Sequence, residues 1–314
     1  MPANSRIPFV NDYDEIDEDS QSNKFSMISQ SFYQLNSTIK SSWLIRTWSN
    51  IISRLNVILT VRNPNLREFL AELFGTFFFI SFGLGSVAQW TFSGYKSFLA
   101  VNLSFGLGLA LAILVVGRIS GGHLNPAVSL SMLLLGRISF VKLLLFTLAQ
   151  FIGSFMAAAM IFFVYFSHIQ NYKDGMYSMA TAGIFATYPS DIRSTSTGNM
   201  FFDQFFSTSL FIITILGVTD KRNNDLANEH SAFLIGISLT AIGMSFGLNC
   251  GFAVNPTRDL APRIFTSIAG WGSLPFTACN YFFWIPIVAP FIGSIFGTLL
   301  YGLFISNHWP SEQY

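Results

Sequence analysis

Two short runs interrupt an otherwise apolar chain: Gly121-Gly122-His123-Leu124-Asn125-Pro126-Ala127, and Gly251-Phe252-Ala253-Val254-Asn255-Pro256-Thr257-Arg258-Asp259. Asn is among the best helix N-caps, and Pro suits the first helical position because its missing N–H is one the helix start leaves unpaired anyway. Each Asn-Pro pair is therefore predicted to open a helix. A helix start presents unpaired N–H groups and roughly half a positive charge, so two starts facing one point would make a positive centre. With each Asn oxygen capping its own helix, the amide N–H groups of Asn125 and Asn255 are left to donate to a passing oxygen. Such a centre resists cations and protons and accepts neutral hydroxyl-bearing molecules. Catalysis is not indicated: no nucleophile is clustered with a base, no metal set is apparent and no cofactor is implied.

The elements that must position these runs are membrane helices. Hydrophobic residues make up 51% of the chain and charged residues 11%, and the long apolar segments are too numerous for one soluble core. The formal net charge of +1 gives no reason to expect nucleic acid as a partner. Six full spans are predicted at about 68–91, 99–117, 141–166, 200–218, 231–249 and 279–304. The run after Pro126 extends roughly 10 residues, and at about 1.5 Å per residue it reaches only about half of a ~30 Å hydrocarbon core. The same holds after Pro256. Three spans and a half-span occur twice, and because three is odd the second copy is inserted upside down. The fold class expected is an all-α membrane protein: six transmembrane helices plus two re-entrant half-helices in an inverted repeat, with residues 67–166 as the first repeat and 200–304 as the second.

A cytoplasmic N-terminus would put Arg46, Arg54, Arg62, Arg67, Arg118, Arg137, Lys142, Lys221 and Arg222 inside, against Lys96, Lys173, Arg193 and Arg263 outside. The basic bias favours that orientation, with both termini cytoplasmic and the plasma membrane as the expected location. The stretches beside the Asn-Pro pairs, Gly121, Gly122 and His123 on to Leu124 in one half and Cys250 and Gly251 on to Val254 in the other, cannot face lipid with unpaired backbone groups. They are expected to line a wet path with their carbonyls. Glu72 is expected to accept from the backbone of the inserted loops. Gln204, at the corresponding place in the fourth span, cannot titrate, which argues against a proton relay. His123 is read as a prop rather than a metal ligand. Cys250 and Cys279 have neither metal spacing nor a disulfide framework. Gly293 with Gly297, and Gly108 with Ala112, suit close helix packing.

Residues 1–66 form a separate cytoplasmic tail. Its start is acidic, with Asp12, Asp14, Glu15, Asp17, Glu18 and Asp19, and lacks the features of a secretory signal. A sequon at Asn36-Ser37-Thr38 falls in this tail, away from glycosylation. Over 41–62, Leu44, Trp48, Ile51, Ile52, Leu55, Ile58 and Leu59 recur at helical spacing, opposite Arg46, Asn50, Ser53 and Arg54. Three readings stay open: a helix on the membrane surface, a helix packed on the body of the protein, and a plug. Residues 305–314 are a short C-terminal tail.

From about residue 67 to 304 the chain resembles the aquaporin (major intrinsic protein) family. His123-Leu124-Asn125-Pro126-Ala127 and Asn255-Pro256-Thr257-Arg258 carry the match, with Thr257 where the family usually has Ala. The resemblance implies a homotetramer with one pore per subunit. It also implies a selectivity filter of Phe105, Gly243, Phe252 and Arg258, and Gly243 stands where a strict water channel has His. Tyr165, Asp259, Arg263, Pro286 and Ile287 resemble the glycerol-conducting branch. Asp259 also suits a helix start on electrostatic grounds alone.

The function expected is a passive channel for glycerol, other small uncharged solutes and water that excludes ions and protons, in contact with the lipid bilayer. The alternatives are a water-selective pore and an ion-coupled secondary transporter, for which few intramembrane coupling residues beyond Glu72 and the filter pair are available.

Overall fold

A computed structural model of the chain describes residues 24, 26–35, 43–94, 96–191, 193–223 and 226–310. The acidic cluster at 12–19, the sequon and the last four residues of the C-terminal tail lie outside them. The chain divides into two compact units, 1–61 and 62–314. In the first, α1 covers residues 26–35 and α2 covers Trp43–Leu59.

The second unit is helical throughout its regular structure, with no strand among the described residues. It runs α3 (Pro64–Phe92), α4 (Phe98–Ser120), α5 (Pro126–Leu134), α6 (Phe140–Val164), then short α7 (Phe166–Gln170) and α8 (Met179–Ala182). The second half runs α9 (Thr197–Thr219), α10 (Asn228–Phe246), α11 (Pro256–Thr266), α12 (Leu274–Tyr281) and α13 (Ile285–Tyr301). Six segments are long and apolar enough to cross a membrane. The starts follow local chemistry: the side chains of Asn63, Ser97, Ser139 and Ser196 each accept an N–H from the first turn of the helix they precede.

The halves are built alike. Helix α3 packs on α4 and α6, and α9 packs on α10 and α13. The halves join where α4 meets α10, and each half-helix crosses over, α5 onto α13 and α11 onto α6. Close approach at these seams needs glycine. A Cβ on Gly297 would stand 2.6 Å from the Ser209 carbonyl oxygen, and one on Gly293 would strike that of Phe205. A Cβ on Gly108 would meet Phe82 of α3 at 2.8 Å.

The span ends shift by a few residues from the sequence reading, and two of the differences have a clear local cause. The fifth ends at Phe246 rather than 249, because Gly247 opens the irregular loop that leads to Asn255. The sixth is not one helix from 279. Cys279, Asn280 and Tyr281 all have positive φ, between 55° and 61°, a left-handed turn at the end of α12 that breaks the chain before the membrane helix α13. Apolarity alone cannot reveal that break, since Phe282, Phe283 and Trp284 continue the apolar run.

Candidate functional site

The two Asn-Pro boxes meet inside the second unit, with α5 and α11 packed against each other at their starts. Asn125 Oδ1 accepts the Ala127 N–H at 2.9 Å, and Asn255 Oδ1 accepts those of Thr257 at 3.1 Å and Arg258 at 3.3 Å. Thr257 fits without disturbance because its hydroxyl donates to the same Asn255 oxygen at 3.0 Å.

The amide nitrogens are not wholly left over. Asn125 Nδ2 donates to the Val254 carbonyl and Asn255 Nδ2 to the Leu124 carbonyl, both at 2.8 Å. One of the two N–H groups on each Asn is therefore used to lock the boxes together, which corrects the expectation that both remain. The carbonyls are aimed by strain: Leu124 and Val254, each just before its Asn, have φ of 53° and 42°, a conformation uncommon outside glycine.

Each loop has a side chain behind it. Glu72 is fully buried; its Oε1 accepts the Ser120 hydroxyl at 2.7 Å and the His123 N–H at 2.9 Å, and its Oε2 accepts the Leu124 N–H at 2.7 Å and Gln150 Nε2 at 2.8 Å. Gln204 serves the other loop with mixed polarity: Oε1 accepts the Val254 N–H at 3.2 Å and Nε2 donates to the Gly251 carbonyl at 2.8 Å. The carbonyl ladder is thus shorter than expected, since Leu124, Val254 and Gly251 are occupied. Among the described residues, those of Gly121, Gly122, His123 and Cys250 take no protein donor. The Cys250 side chain is buried against the Met200 carbonyl. His123 is braced, with Nδ1 3.1 Å from Ser129 Oγ and its ring edge-on to Phe146.

Three cavities follow one another along the unit. The lining passes down α4 from Phe98, Val101 and Phe105 of the first, through Phe105 and Leu109 of the second, to Ile113, Gly117 and Gly121 of the third. The first is a vestibule of about 520 Å³ that includes Lys96. The third is a vestibule of about 220 Å³ at the opposite end, with Arg118, Lys221 and Glu229. Between them the passage shrinks to about 10 Å³, lined by Asn125, Asn255, Phe105, Phe252 and Arg258.

Phe105, Phe252 and Arg258 line both the 520 Å³ vestibule and the constriction. The Arg258 guanidinium lies 4.8 Å over the Phe105 ring, and Phe105 meets Phe252 edge-to-face at 5.4 Å. Arg258 Nη1 donates to the Phe185 carbonyl at 3.4 Å, while buried Nε has no protein acceptor among the described residues. Gly243 stands directly behind Phe252: a Cβ there would be 3.0 Å from Phe252 Cε2 and 2.5 Å from Asn102 Oδ1. Asn102 escaped the sequence reading. It is fully buried on α4 and neither amide atom has a partner among the described residues; a lone Asn in an apolar helix was the only signal.

Asp259 and Arg263 brace this wall from behind. Asp259 Oδ2 accepts the Thr187 N–H at 2.8 Å and hydroxyl at 2.6 Å, and Oδ1 accepts Arg263 Nε at 2.5 Å. Arg263 is not an outer surface charge, as the charge count had it. It is wholly buried, donates to the carbonyls of Pro275 and Thr187, and stacks 4.3 Å from the Tyr188 ring. Burial pushes the Tyr188 phenol up to about 12. Tyr165 ends α6 and accepts Gln89 Nε2 at 2.9 Å, whereas Pro286 and Ile287 sit in the first turn of α13. None of these three lines a cavity described above.

The family model for the major intrinsic proteins matches residues 60–301. Aquaporin-10 of Milnesium tardigradum is 41% identical over 264 residues, which cover 78% of this chain and 64% of that protein. Aquaporin-9 of Homo sapiens is 41% identical over 261 residues, covering 81% of this chain and 88% of that one. Among solved structures, the aquaglyceroporin from Plasmodium falciparum superposes with a TM-score of 0.72 at 30% identity, over 77% of this chain and 98% of that chain.

Proposed function

The chain belongs to the major intrinsic protein family, and from that premise and the constriction geometry we propose that it is a passive membrane channel for glycerol, other small uncharged solutes and water. One observation carries the reading. At the narrowest part of the passage, a buried guanidinium whose Nε has no protein acceptor among the described residues faces two edge-to-face phenylalanines, and Gly243, which does not itself line the passage, stands behind Phe252 and leaves that ring its place. A polyol has matching faces, hydroxyls on one side and C–H on the other. Arg258 offers fixed donors to adjacent hydroxyls, and Phe105 with Phe252 offers an apolar wall to the carbons.

Ions are turned back at two levels. Arg258 repels cations at the filter, and the opposed starts of α5 and α11 place partial positive charge around Asn125 and Asn255. The remaining N–H of each Asn donates to the passing oxygen, so a file of hydroxyls or waters is oriented outward from the centre. The relatives' names, aquaporin and aquaglyceroporin, agree with this reading. No bond is made or broken, and the mechanism calls for no cofactor or metal.

The assembly we propose is a homotetramer with one passage per subunit, in the plasma membrane. The apolar residues exposed along the outer faces of the spans, such as Leu103, Leu107, Leu144 and Leu148, suit lipid and subunit contact. The basic residues Arg118 and Lys221 at the 220 Å³ vestibule favour that end, and with it both termini, as cytoplasmic.

Stopped-flow light scattering on proteoliposomes tests the function. The expected result is glycerol entry well above empty vesicles with no ion gradient. Water flux without glycerol would make the pore water-selective, and accumulation that depends on an ion gradient would overturn the channel reading.

A further inference from the structure

The channel reading makes no use of α2, whose residues carry a second recognition surface. Trp48, Ile51, Ile52, Leu55 and Leu59 fall within about 100° of one another on a helix of 3.6 residues per turn. Each is exposed, at 62%, 44%, 51%, 47% and 70% respectively. An apolar stripe of this size is not left to water without reason. The opposite face carries Arg46, Asn50, Ser53 and Arg54, and Trp43–Leu59 contains no acidic residue.

We propose that α2 is an interfacial anchor, seated on the membrane with this stripe in the acyl boundary and its arginines on anionic lipid headgroups. Three observations favour that occupant over a protein partner. First, only residues 60–63 separate α2 from Pro64, the first residue of a membrane-spanning helix, so the bilayer surface is within reach of the chain whatever else is present. Second, the charge is of one sign: Arg46 and Arg54 on the helix are followed by exposed Arg62 and Arg67. A protein surface offers no general reason for that bias, but an anionic leaflet attracts each such residue. Third, a Trp lies within the apolar stripe. Its amphipathic ring is suited to headgroup depth.

The test uses the full chain in lipid nanodiscs, one set zwitterionic and one containing phosphatidylserine. A nitroxide is placed at Ile52→Cys on the stripe or at Ser53→Cys on the polar face, and the unsubstituted chain, with Cys250 and Cys279, supplies the background. Collision with oxygen and with a water-soluble nickel chelate reports depth. The expected result is an oxygen-favoured label at 52, about 5–10 Å below the headgroups, and a nickel-favoured label at 53, with 52 deeper in the anionic discs. Arg54→Glu should lower the ratio of seated to unseated helix in those discs by about tenfold or more.

Equal access of both reagents to 52 and 53 would overturn the proposal. Shielding of 52 from both would overturn it in favour of a protein cover, another segment of the chain or a second copy. Seating that ignores lipid charge and Arg54→Glu would overturn the assignment of anionic lipid. Leu55→Cys, on the same face, gives an independent reading if the label at 52 prevents folding.

Discussion

Asn125 Nδ2 lies 2.8 Å from the carbonyl oxygen of Val254, the residue just before the opposing cap Asn255. The same bond runs back from Asn255 to Leu124. Each half-helix is thus capped by its own Asn and tied to the other by that Asn's amide, so capping and docking are one event.

Asn125→Asp keeps the cap oxygen and removes the donor. The Val254 carbonyl loses its buried partner, and a stability loss of about 1–3 kcal/mol is expected, read as a lower thermal midpoint in detergent. The added negative charge also offsets the positive helix starts, so cation conductance in planar bilayers should rise above the unsubstituted chain. An unchanged midpoint would show that the crossed bond contributes nothing.

Gly243→Ala should narrow the proposed filter. Its Cβ has no room beside Asn102 Oδ1 at 2.5 Å and crowds Phe252 Cε2 at 3.0 Å, so Asn102 must shift and Phe252, which lines the constriction, is pressed away from α10. Glycerol flux is expected to fall about tenfold, a barrier increase of about 1.4 kcal/mol, with water flux less affected. Trimming the opposing side chain, in Gly243→Ala with Asn102→Ala, should return part of the glycerol flux. Flux that does not recover would assign the obstruction to Phe252 alone.

Arg263→Met leaves the buried Asp259 carboxylate without its hydrogen-bonded charge partner, with only Arg258 Nη1 nearby at 3.9 Å. Breaking a buried pair from one side typically destabilises by about 3–5 kcal/mol, so the yield of folded protein should drop sharply. Asp259→Asn added to Arg263→Met removes the stranded charge and should recover part of the loss, a coupling that a double-mutant cycle measures.

Asp220, just beyond α9, is held down to about 2 by hydrogen bonds from Arg222, with Tyr301 also donating to it. Because the folded value is below the unfolded one, its contribution is full above about pH 4 and is lost as pH falls through about 2. The thermal midpoint should therefore separate the unsubstituted chain from Asp220→Asn at pH 7, and the two should converge toward pH 2. A gap that persists at low pH would mean that packing, not charge, holds this corner.

Tyr281→Gly should stabilise the protein. Tyr281 is 62% exposed and has a φ of 61°, in a region disfavoured for residues bearing a Cβ. Relief of that strain, less the added chain entropy of glycine, leaves a gain of about 0.5–1 kcal/mol, visible as a small rise in thermal midpoint. A fall would assign the left-handed turn to contacts of the tyrosine ring.

Much of the architecture is local and could be read from the chain. Apolar runs give the spans, and Asn-Pro gives a helix start wherever it occurs; three spans and a half repeated twice permit only an inverted arrangement. Glu72 could be read as an acceptor because a carboxylate at that depth must be hydrogen-bonded. What the sequence left open are pairings between residues far apart in the chain. The i,i+4 spacing of Asp259 and Arg263 permits their pairing, but nothing local shows that the pair is buried with Arg263 on the carbonyls of Thr187 and Pro275, and an apolar run does not reveal the left-handed turn at 279–281. Nor could it show that half of each Asn amide is used across the interface, or that Asn102, whose amide has no partner among the described residues, stands behind Gly243. Caps and periodicity depend on neighbours within a turn or two. Which donor meets which acceptor across more than 100 residues is decided by packing, once α4 closes on α10 and the two half-helices meet end to end.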